Sequence, residues 1–358
     1  MKKLLLYIDN MLYGGANRVM ANLANYFSGL GYDIVLVNDR AYSKELSGYA
    51  VNEAVKRYYL DEGRKNLLKK TVHRITQLRS ILKTEKPDIA LSFMAGPNIR
   101  MLTASMGLSV KKVVSVRNDP EKEYGTGLWK PFMNLLFRQA DGVVFQTNDA
   151  ANYFSKGIRK KSKVIFNPVN EKFYERKWRP GGKNIVVVGR LQPQKNPMNV
   201  LQAFAQIAGA IPDVSLDYIG EGELKAELVA YAEQSGLTER VRFLGKREDI
   251  GSILEGAVMY VLCSDFEGMP NALMEAMAVG VPAISTDCPC GGPRSLIQNN
   301  MQGVLVPCRR SDILAEEMKK LLHDQKCQLL MSDEERKRAI EFKPAKILAE
   351  WSDYLFDD

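Results

Sequence analysis

The sequence predicts an α/β protein of two doubly wound domains with a ligand-binding cleft between them. Three observations predict it. Apolar runs of strand length alternate with helical patterns along the whole chain, as in a parallel sheet covered by helices on both faces. The alternation starts afresh at Asn184-Ile-Val-Val-Val-Gly189, which repeats the strand-then-glycine opening of Leu4 to Ile8 and Gly14-Gly15. The chain has 358 residues, enough to build two such cores.

Composition narrows the class. Hydrophobic residues make up 46% and charged residues 26%, ordinary for a soluble globular protein. No apolar run is long enough to span a bilayer. The opening MKKLLLYIDN has the cations of a signal peptide, but its apolar run is short and Asp9 interrupts it, so it reads as a first strand. Five cysteines, an odd number, point to a reducing compartment and a cytoplasmic location. Cys288-Pro-Cys290 stands in a chain with only two histidines and no second cysteine pair, so it reads as a turn with buried or idle thiols; no metal site is expected.

The net charge of +8 is unevenly spread. Residues 1–168 carry 27 Lys and Arg against 14 Asp and Glu, whereas residues 169–358 carry 23 against 28. The basic first half is expected to face something anionic: the inner membrane surface or a lipid pyrophosphate, with a merely solvated basic face as the plain alternative. No RRM, KH or zinc-type motif is present, and no nucleic-acid partner is expected.

In the first half, Leu4 to Ile8 is a buried strand, and Gly14-Gly15 leads into an amphipathic helix that ends near Gly29. Ile34 to Asn38 is the second strand. Arg64 to Lys86 reads as a helix whose apolar stripe is Leu68, Val72, Ile75, Leu78 and Leu82, with lysines and arginines around the rest. That stripe faces either the core or an anionic membrane. Pro87 to Met94 and Lys112 to Val116 are further strands, the latter ending in Arg117-Asn118-Asp119-Pro120. Arg117 is a fixed cation suited to a phosphate and not to a general base. Gly127 to Ala140 is rich in aromatic residues, which fit core packing or a membrane-inserting face. Lys156 to Lys163 reads as a basic loop, and Asn170 to Lys183 as a polar stretch.

In the second half, the strand from Asn184 ends in Gly189-Arg190-Leu191, and Lys195 follows in the same loop. Two cations at the carboxyl end of a strand sit where a pyrophosphate needs neutralising. A further strand from Val214 to Ile219 ends in Gly220-Glu221-Gly222, and another runs from Val241 through Leu244 to Gly245. Met259 to Pro282 then gives strand, tight turn and helix, with Pro270 at the first helical position and Gly280 as the stop. Glu267 lies in the turn and Glu275 inside the helix, so both acids can flank one ligand at the helix mouth.

The Glu-x7-Glu string FEGMPNALMEAMAVGVP, with Gly189-Arg190-Leu191…Lys195-Asn196 and Gly14-Gly15-Ala16-Asn17-Arg18-Val19, resembles the retaining glycosyltransferases of family 4, which have the GT-B fold. The resemblance covers nearly the whole chain and is strongest from 184 to 297. It implies two Rossmann-like domains: 1–168 for the acceptor, with the hinge after Val164 to Asn167, and 169–340 for the nucleotide-sugar donor. A last segment, 341–358, would form a helix crossing back onto the first domain, anchored by Trp351 and Leu355.

By the same resemblance, Arg190 and Lys195 hold the donor diphosphate and Glu267 contacts the sugar. Glu275 takes the ribose, and Gly268, Met269, Asn271 and Ala272 offer backbone amides. Gly15, Gly189, Gly220, Gly222 and Leu244 complete the donor site. Gly14, Arg117 and Asn118 are contacts for acceptor or phosphate. The chain departs from the family pattern at three positions: Asn17 for the usual acid, Arg117 for a frequent histidine, and Ser295 for a frequent glutamate. Val-Arg-Asn-Asp-Pro resembles a subgroup that builds bacterial surface polysaccharides and lipid-linked glycans.

The implied function is transfer of a hexose or N-acetylhexosamine, from a UDP-sugar by preference, to a lipid-linked or oligosaccharide acceptor. No cofactor is expected, and with no Asp-x-Asp present neither is a metal. The enzyme would be peripheral on the cytoplasmic face of the membrane. A GT-B epimerase does not fit Arg190…Lys195 with the paired glutamates. An NAD-dependent dehydrogenase needs Gly-x-Gly-x-x-Gly after a strand, and none follows. A non-catalytic GT-B interaction subunit is the remaining alternative, kept open by Asn17, Arg117 and Ser295.

Overall fold

A computed structural model describes residues 2–12, 14–40, 48–60 and 66–356. The chain divides into two compact units, Met1–Asn167 with Leu348–Asp358, and Pro168–Ile347. Each is built on one parallel sheet.

The first unit has seven strands: β1 (Lys3–Ile8), β2 (Asp33–Asn38), β3 (Lys56–Tyr59), β4 (Ile89–Phe93), β5 (Lys111–Ser115), β6 (Gly142–Phe145) and β7 (Ser162–Val164), in the order β3-β2-β1-β4-β5-β6-β7. The second has six: β8 (Asn184–Val188), β9 (Ser215–Ile219), β10 (Val241–Gly245), β11 (Met259–Leu262), β12 (Ala283–Thr286) and β13 (Val304–Val306), in the order β10-β9-β8-β11-β12-β13. The central strands are apolar and buried along their length, Leu4 to Ile8 and Met259 to Val261 completely so. A strand covered by helices on both faces has no polar side, which is why these runs do not alternate. In each sheet the chain reverses direction of travel at its first strand, so the switch points lie between β1 and β4 and between β8 and β11.

Several elements differ from the sequence expectation. The helix expected over Arg64 to Lys86 runs Leu67–Glu85, capped by the Asn66 side chain accepting from the Leu68 amide at 3.0 Å; Arg64 and Lys65 lie outside the described residues. Its buried face is centred on Arg74, Leu78 and Leu82, whereas Leu68 and Val72 are exposed. Periodicity places Arg74 in water, but Asp39 draws it inward: the Arg74 guanidinium donates to the Asp39 carboxylate at 3.3 Å and to its carbonyl at 3.1 Å. The strand expected over Pro87 to Met94 is Ile89–Phe93, and directly after it Ala95-Gly96-Pro97-Asn98 open the helix Ala95–Ala104; Met94 turns the chain at φ 76°. The basic loop from Lys156 is instead a one-turn helix, Lys156–Arg159, followed by the edge strand β7. The polar stretch after Asn170 hides Trp178, buried with its indole N–H donating to the Ala257 carbonyl at 2.7 Å.

The last helix is Pro344–Phe356, and its residues from Leu348 onward belong to the first unit. Trp351 and Leu355 are fully buried. The Trp351 ring lies 5.6 Å from Phe93, and Phe356 stacks on Tyr32 at 4.5 Å. Tyr354 fastens the sheet edge, its hydroxyl accepting from the Val143 amide at 2.8 Å and donating to the Lys161 carbonyl at 2.6 Å. No described helix is long and apolar enough to cross a membrane.

Candidate functional site

The switch point of the second sheet brings two loops together. One follows β8 and carries Arg190 to Asn196; the other follows β11 and carries Cys263 to Pro270. Neighbouring strands whose connections leave in opposite directions open a crevice at their carboxyl ends, and these loops line it.

They are joined by side chains of opposite character. The Lys195 ammonium pairs with the Glu267 carboxylate. The Gln194 side chain donates to the Phe266 carbonyl at 3.0 Å, and its backbone carbonyl accepts from the Asp265 amide at 2.9 Å. The Asn196 amide donates to Asp265 at 3.0 Å. Glu267 is buried and takes a second bond from the Ser264 hydroxyl at 2.7 Å. Ser264 is itself placed by its carbonyl, which accepts from the Thr286 hydroxyl at 2.6 Å. Two donors thus fix one carboxylate oxygen before any ligand arrives. Arg190, by contrast, is exposed and makes no ion pair with a described residue.

The helix Asn271–Val279 starts directly after this loop, and Gly280 in the left-handed region ends it. Pro270 is the residue before the helix rather than its first: its carbonyl accepts from the amides of Leu273 and Met274 at 3.1 and 3.2 Å. The first amides of a helix have no intrahelical partner, so Asn271 and Ala272 stand at a positive mouth suited to an anion. Glu275 is buried one turn further in. Tyr260 of β11 is completely buried; burial raises its pKa, Glu267 and Glu275 add to the rise, and its hydroxyl has no hydrogen-bond partner among the described residues.

Gly189 follows β8 and lies against the aliphatic stem of Lys195. Gly220 is required: at φ +140° a Cβ there would lie 2.0 Å from the Gly189 carbonyl. Gly222 lies two residues on, against the Leu191 carbonyl. Leu244 sits at a register shift of β10, between Phe243 and Gly245. Gly292, for which no site role was expected, presses against the Gly268 carbonyl and leaves 2.1 Å for a Cβ. It seats the Glu267–Gly268–Met269 loop against the turn after β12. The pairing of Gln194 and Asn196 with Phe266 and Asp265 had no sequence signal, because these partners lie about 70 residues apart and no local pattern marks pairing at that range.

The first unit presents its own polar ends. Gly14 precedes the helix Gly15–Gly29 in an extended conformation. Asn17 donates to Asn10 at 2.9 Å and to the Leu12 carbonyl at 2.8 Å, two bonds that an acid at this position could not donate. Arg117 is buried, with its guanidinium on the Asn167 side chain and 4.5 Å over the Phe93 ring. Burial lowers it to about 9, still protonated at neutral pH, and Glu123 opposes the shift. Burial pushes Glu123 up to about 7; Asp119 adds to this and Arg117 opposes it. One oxygen of Glu123, Nε of Arg117 and the Gln146 carbonyl oxygen are buried without hydrogen-bond partners. Asn118 is half-exposed beside them. Cys288 and Cys290 are buried, as expected of the turn that carries them.

With this geometry in place, comparison with known proteins is specific. Residues 13–173 match the family model described as Glycosyltransferase Family 4, and residues 169–343 match Glycosyl transferases group 1. A Campylobacter jejuni protein, GalNAc-alpha-(1->4)-GalNAc-alpha-(1->3)-diNAcBac-PP-undecaprenol alpha-1,4-N-acetyl-D-galactosaminyltransferase, is 26% identical over 98% of this chain and 97% of its own. A second from that organism, N-acetylgalactosamine-N,N'-diacetylbacillosaminyl-diphospho-undecaprenol 4-alpha-N-acetylgalactosaminyltransferase, is also 26% identical, over 99% of this chain and all of its own. Among solved structures, Anabaena HepE in complex with UDP and glucose superposes with a TM-score of 0.81 at 17% identity, covering 99% of both chains. That likeness is one of fold, and the fold is GT-B.

Proposed function

Because this chain belongs to glycosyltransferase family 4, we propose that it moves a hexose or N-acetylhexosamine from a UDP-sugar to a lipid-linked or growing surface glycan. In this reading the transfer retains the anomeric configuration, needs no metal ion, and takes place on the cytoplasmic face of the membrane. The observation that carries the proposal is the pairing of Lys195 with a doubly held Glu267 at the second switch point, beside an uncommitted Arg190 and a helix mouth. The relatives above, named for diphospho-undecaprenol acceptors, support the lipid-linked class, and HepE with UDP supports the base.

The diphosphate would lie between Arg190, Lys195 and the amides of Asn271 and Ala272, whose positive charge offsets what develops on the leaving group. Glu267 and the backbone of Gly268 and Met269 would orient the sugar, and Glu275 the ribose. The remaining proposed donor contacts are Gly15, Gly189, Gly220, Gly222 and Leu244. Gly14, Arg117 and Asn118 would meet acceptor or phosphate. In the transfer, the bond from the anomeric carbon to the β-phosphate oxygen breaks and its electron pair leaves with UDP. The acceptor hydroxyl oxygen bonds that carbon on the same face, and its proton passes to a β-phosphate oxygen. No histidine base is called for, in keeping with Arg117 at the position where one is frequent.

Thermal stabilisation in a chelating buffer tests the donor site. One UDP-sugar should raise Tm in the wild type, and Arg190→Ala should abolish the rise. No shift with any nucleotide sugar would overturn the reading. Release of UDP on adding a diphospho-lipid glycan would separate an enzyme from a binding-only subunit.

A further inference from the structure

The helix Trp129–Phe137 of the first unit has two apolar faces. One belongs to the core: Met133, Leu136 and Phe137 are buried, with Phe137 packed at 4.7 Å on Phe154 and edge-on at 5.3 Å to Tyr124. The other faces water. Leu128 is 93% exposed, Trp129 63%, Phe132 54% and Leu135 61%. The Trp129 and Phe132 rings meet edge to face at 6.2 Å, so the exposed side chains form one ridge rather than scattered residues. Single exposed apolar residues need no explanation, but a contiguous ridge with two aromatics does.

The surroundings of the ridge are basic. The Ser155 amide donates to the Asn134 side chain at 2.6 Å and ties the helix to the segment that begins at Lys156. Lys161 caps the carbonyls of Arg138 and Ala140 at the helix end. Arg138, Lys156, Arg159 and Lys160 are therefore held near the C-terminal half of the same helix and exposed. From 125 to 163 there are seven lysines and arginines against two acids, Asp141 and Asp149. Protein interfaces are depleted in lysine, whereas a ridge of Trp, Phe and Leu with flanking cations suits the headgroup boundary of an anionic bilayer.

We propose that Leu128, Trp129, Phe132 and Leu135 insert into an anionic lipid surface, with the neighbouring cations seated on its phosphates. The proposal deepens the reading of a membrane-borne acceptor and rests on it for its purpose. It fixes which edge of the first unit meets the lipid.

The chain carries its own reporter. Of its three tryptophans, Trp178 and Trp351 are buried, leaving Trp129 as the exposed one. Adding vesicles of phosphatidylcholine and phosphatidylglycerol in equal parts should shift tryptophan emission to the blue, and brominated acyl chains should quench it. Pure phosphatidylcholine or high salt should weaken both effects. The variant L128S/F132S/L135S, which keeps the reporter, should bind vesicles at least about tenfold more weakly. Its stabilisation by UDP-sugar should be unchanged, which also shows that it is folded. The proposal is overturned if anionic vesicles leave Trp129 unquenched. It is overturned equally if sedimentation shows a dimer that these substitutions dissociate, since a second copy would then be the occupant. Loss of vesicle binding with UDP-sugar stabilisation intact leaves the transferase reading standing, and the reverse result overturns that reading alone.

Discussion

Both sheets set their first strand beside the strand reached by the crossover, β1 beside β4 and β8 beside β11, yet the carboxyl ends are finished differently. Beyond β8 and β11, one carboxylate is held by Lys195 and Ser264, while Arg190 stands open. Beyond β1 and β2, Asp39 is closed off completely: it accepts from the Tyr7 hydroxyl at 2.6 Å and from Arg100 at 2.5 Å, and Arg74 covers it. Burial pushes the Tyr7 hydroxyl well up, so it donates at any ordinary pH. The same strand order therefore supports a charge network that leaves a cation for a ligand and another that leaves none. On the function proposed above the first is arranged to bind; the second holds its sheet together.

Substitution of the cations at the second switch point tests that contrast with the largest effect. Arg190→Ala and Lys195→Ala should each lower sugar transfer by about two to three orders of magnitude, the usual loss when one preorganised charge is removed from a developing anion. They should separate in stability. Arg190 is exposed and makes no ion pair with a described residue, so its removal should leave Tm within a degree or two. Lys195→Ala strands a buried carboxylate and should cost about 2 kcal/mol, read by urea denaturation. Equal stability losses would mean that the Lys195–Glu267 pair is not the preformed element described here.

The next effect belongs to the first unit. Asp39→Ala removes the carboxylate that accepts from buried Tyr7 and Arg74 and half-buried Arg100, and should cost about 3 kcal/mol in urea denaturation. Stabilisation by UDP-sugar, measured as the rise in Tm over each variant's own baseline, should be unchanged. A lost ligand response with intact stability would place Asp39 in the binding machinery and dissolve the distinction between the two networks.

How much of this was legible in the sequence follows from the range of each interaction. The central strands were legible because burial on both faces leaves an unbroken apolar run, and the turn around Glu267 because strand, glycine and proline are local signals; the exposed edge strand β3, Lys56–Tyr59, has no such run and was not read. Arg74 was misplaced: helical periodicity assigns a cation to solvent, and only Asp39, 35 positions earlier, reverses that. Leu68 and Val72, read as part of a stripe facing either the core or a membrane, are exposed for the complementary reason, since the face turned inward is the one that brings Arg74 to Asp39. Lys195 and Glu267 were each marked by local motifs, but their contact spans 72 positions and no spacing rule reports it. Trp178 was hidden in a polar stretch because one aromatic carries no period.

The smallest effect concerns Glu123, which belongs to neither network and so measures what an unmatched acid costs the first unit. Its carboxyl is raised to about 7 by burial, and one oxygen has no partner. A folded pKa above the unfolded value means that the folded state binds the proton more tightly. The group therefore costs nothing at a pH below its unfolded value near 4.5, and its cost grows as pH rises to about 7, above which it is complete. Glu123→Gln removes that dependence. Its Tm should match the wild type at acid pH and exceed it at alkaline pH, by the equivalent of about 1 kcal/mol once partial exposure is allowed for. A parallel pair of Tm curves would show that Arg117 compensates the carboxylate after all. The cluster at Arg117 would then be a closed network like that of Asp39, rather than a polar end with atoms still unsatisfied.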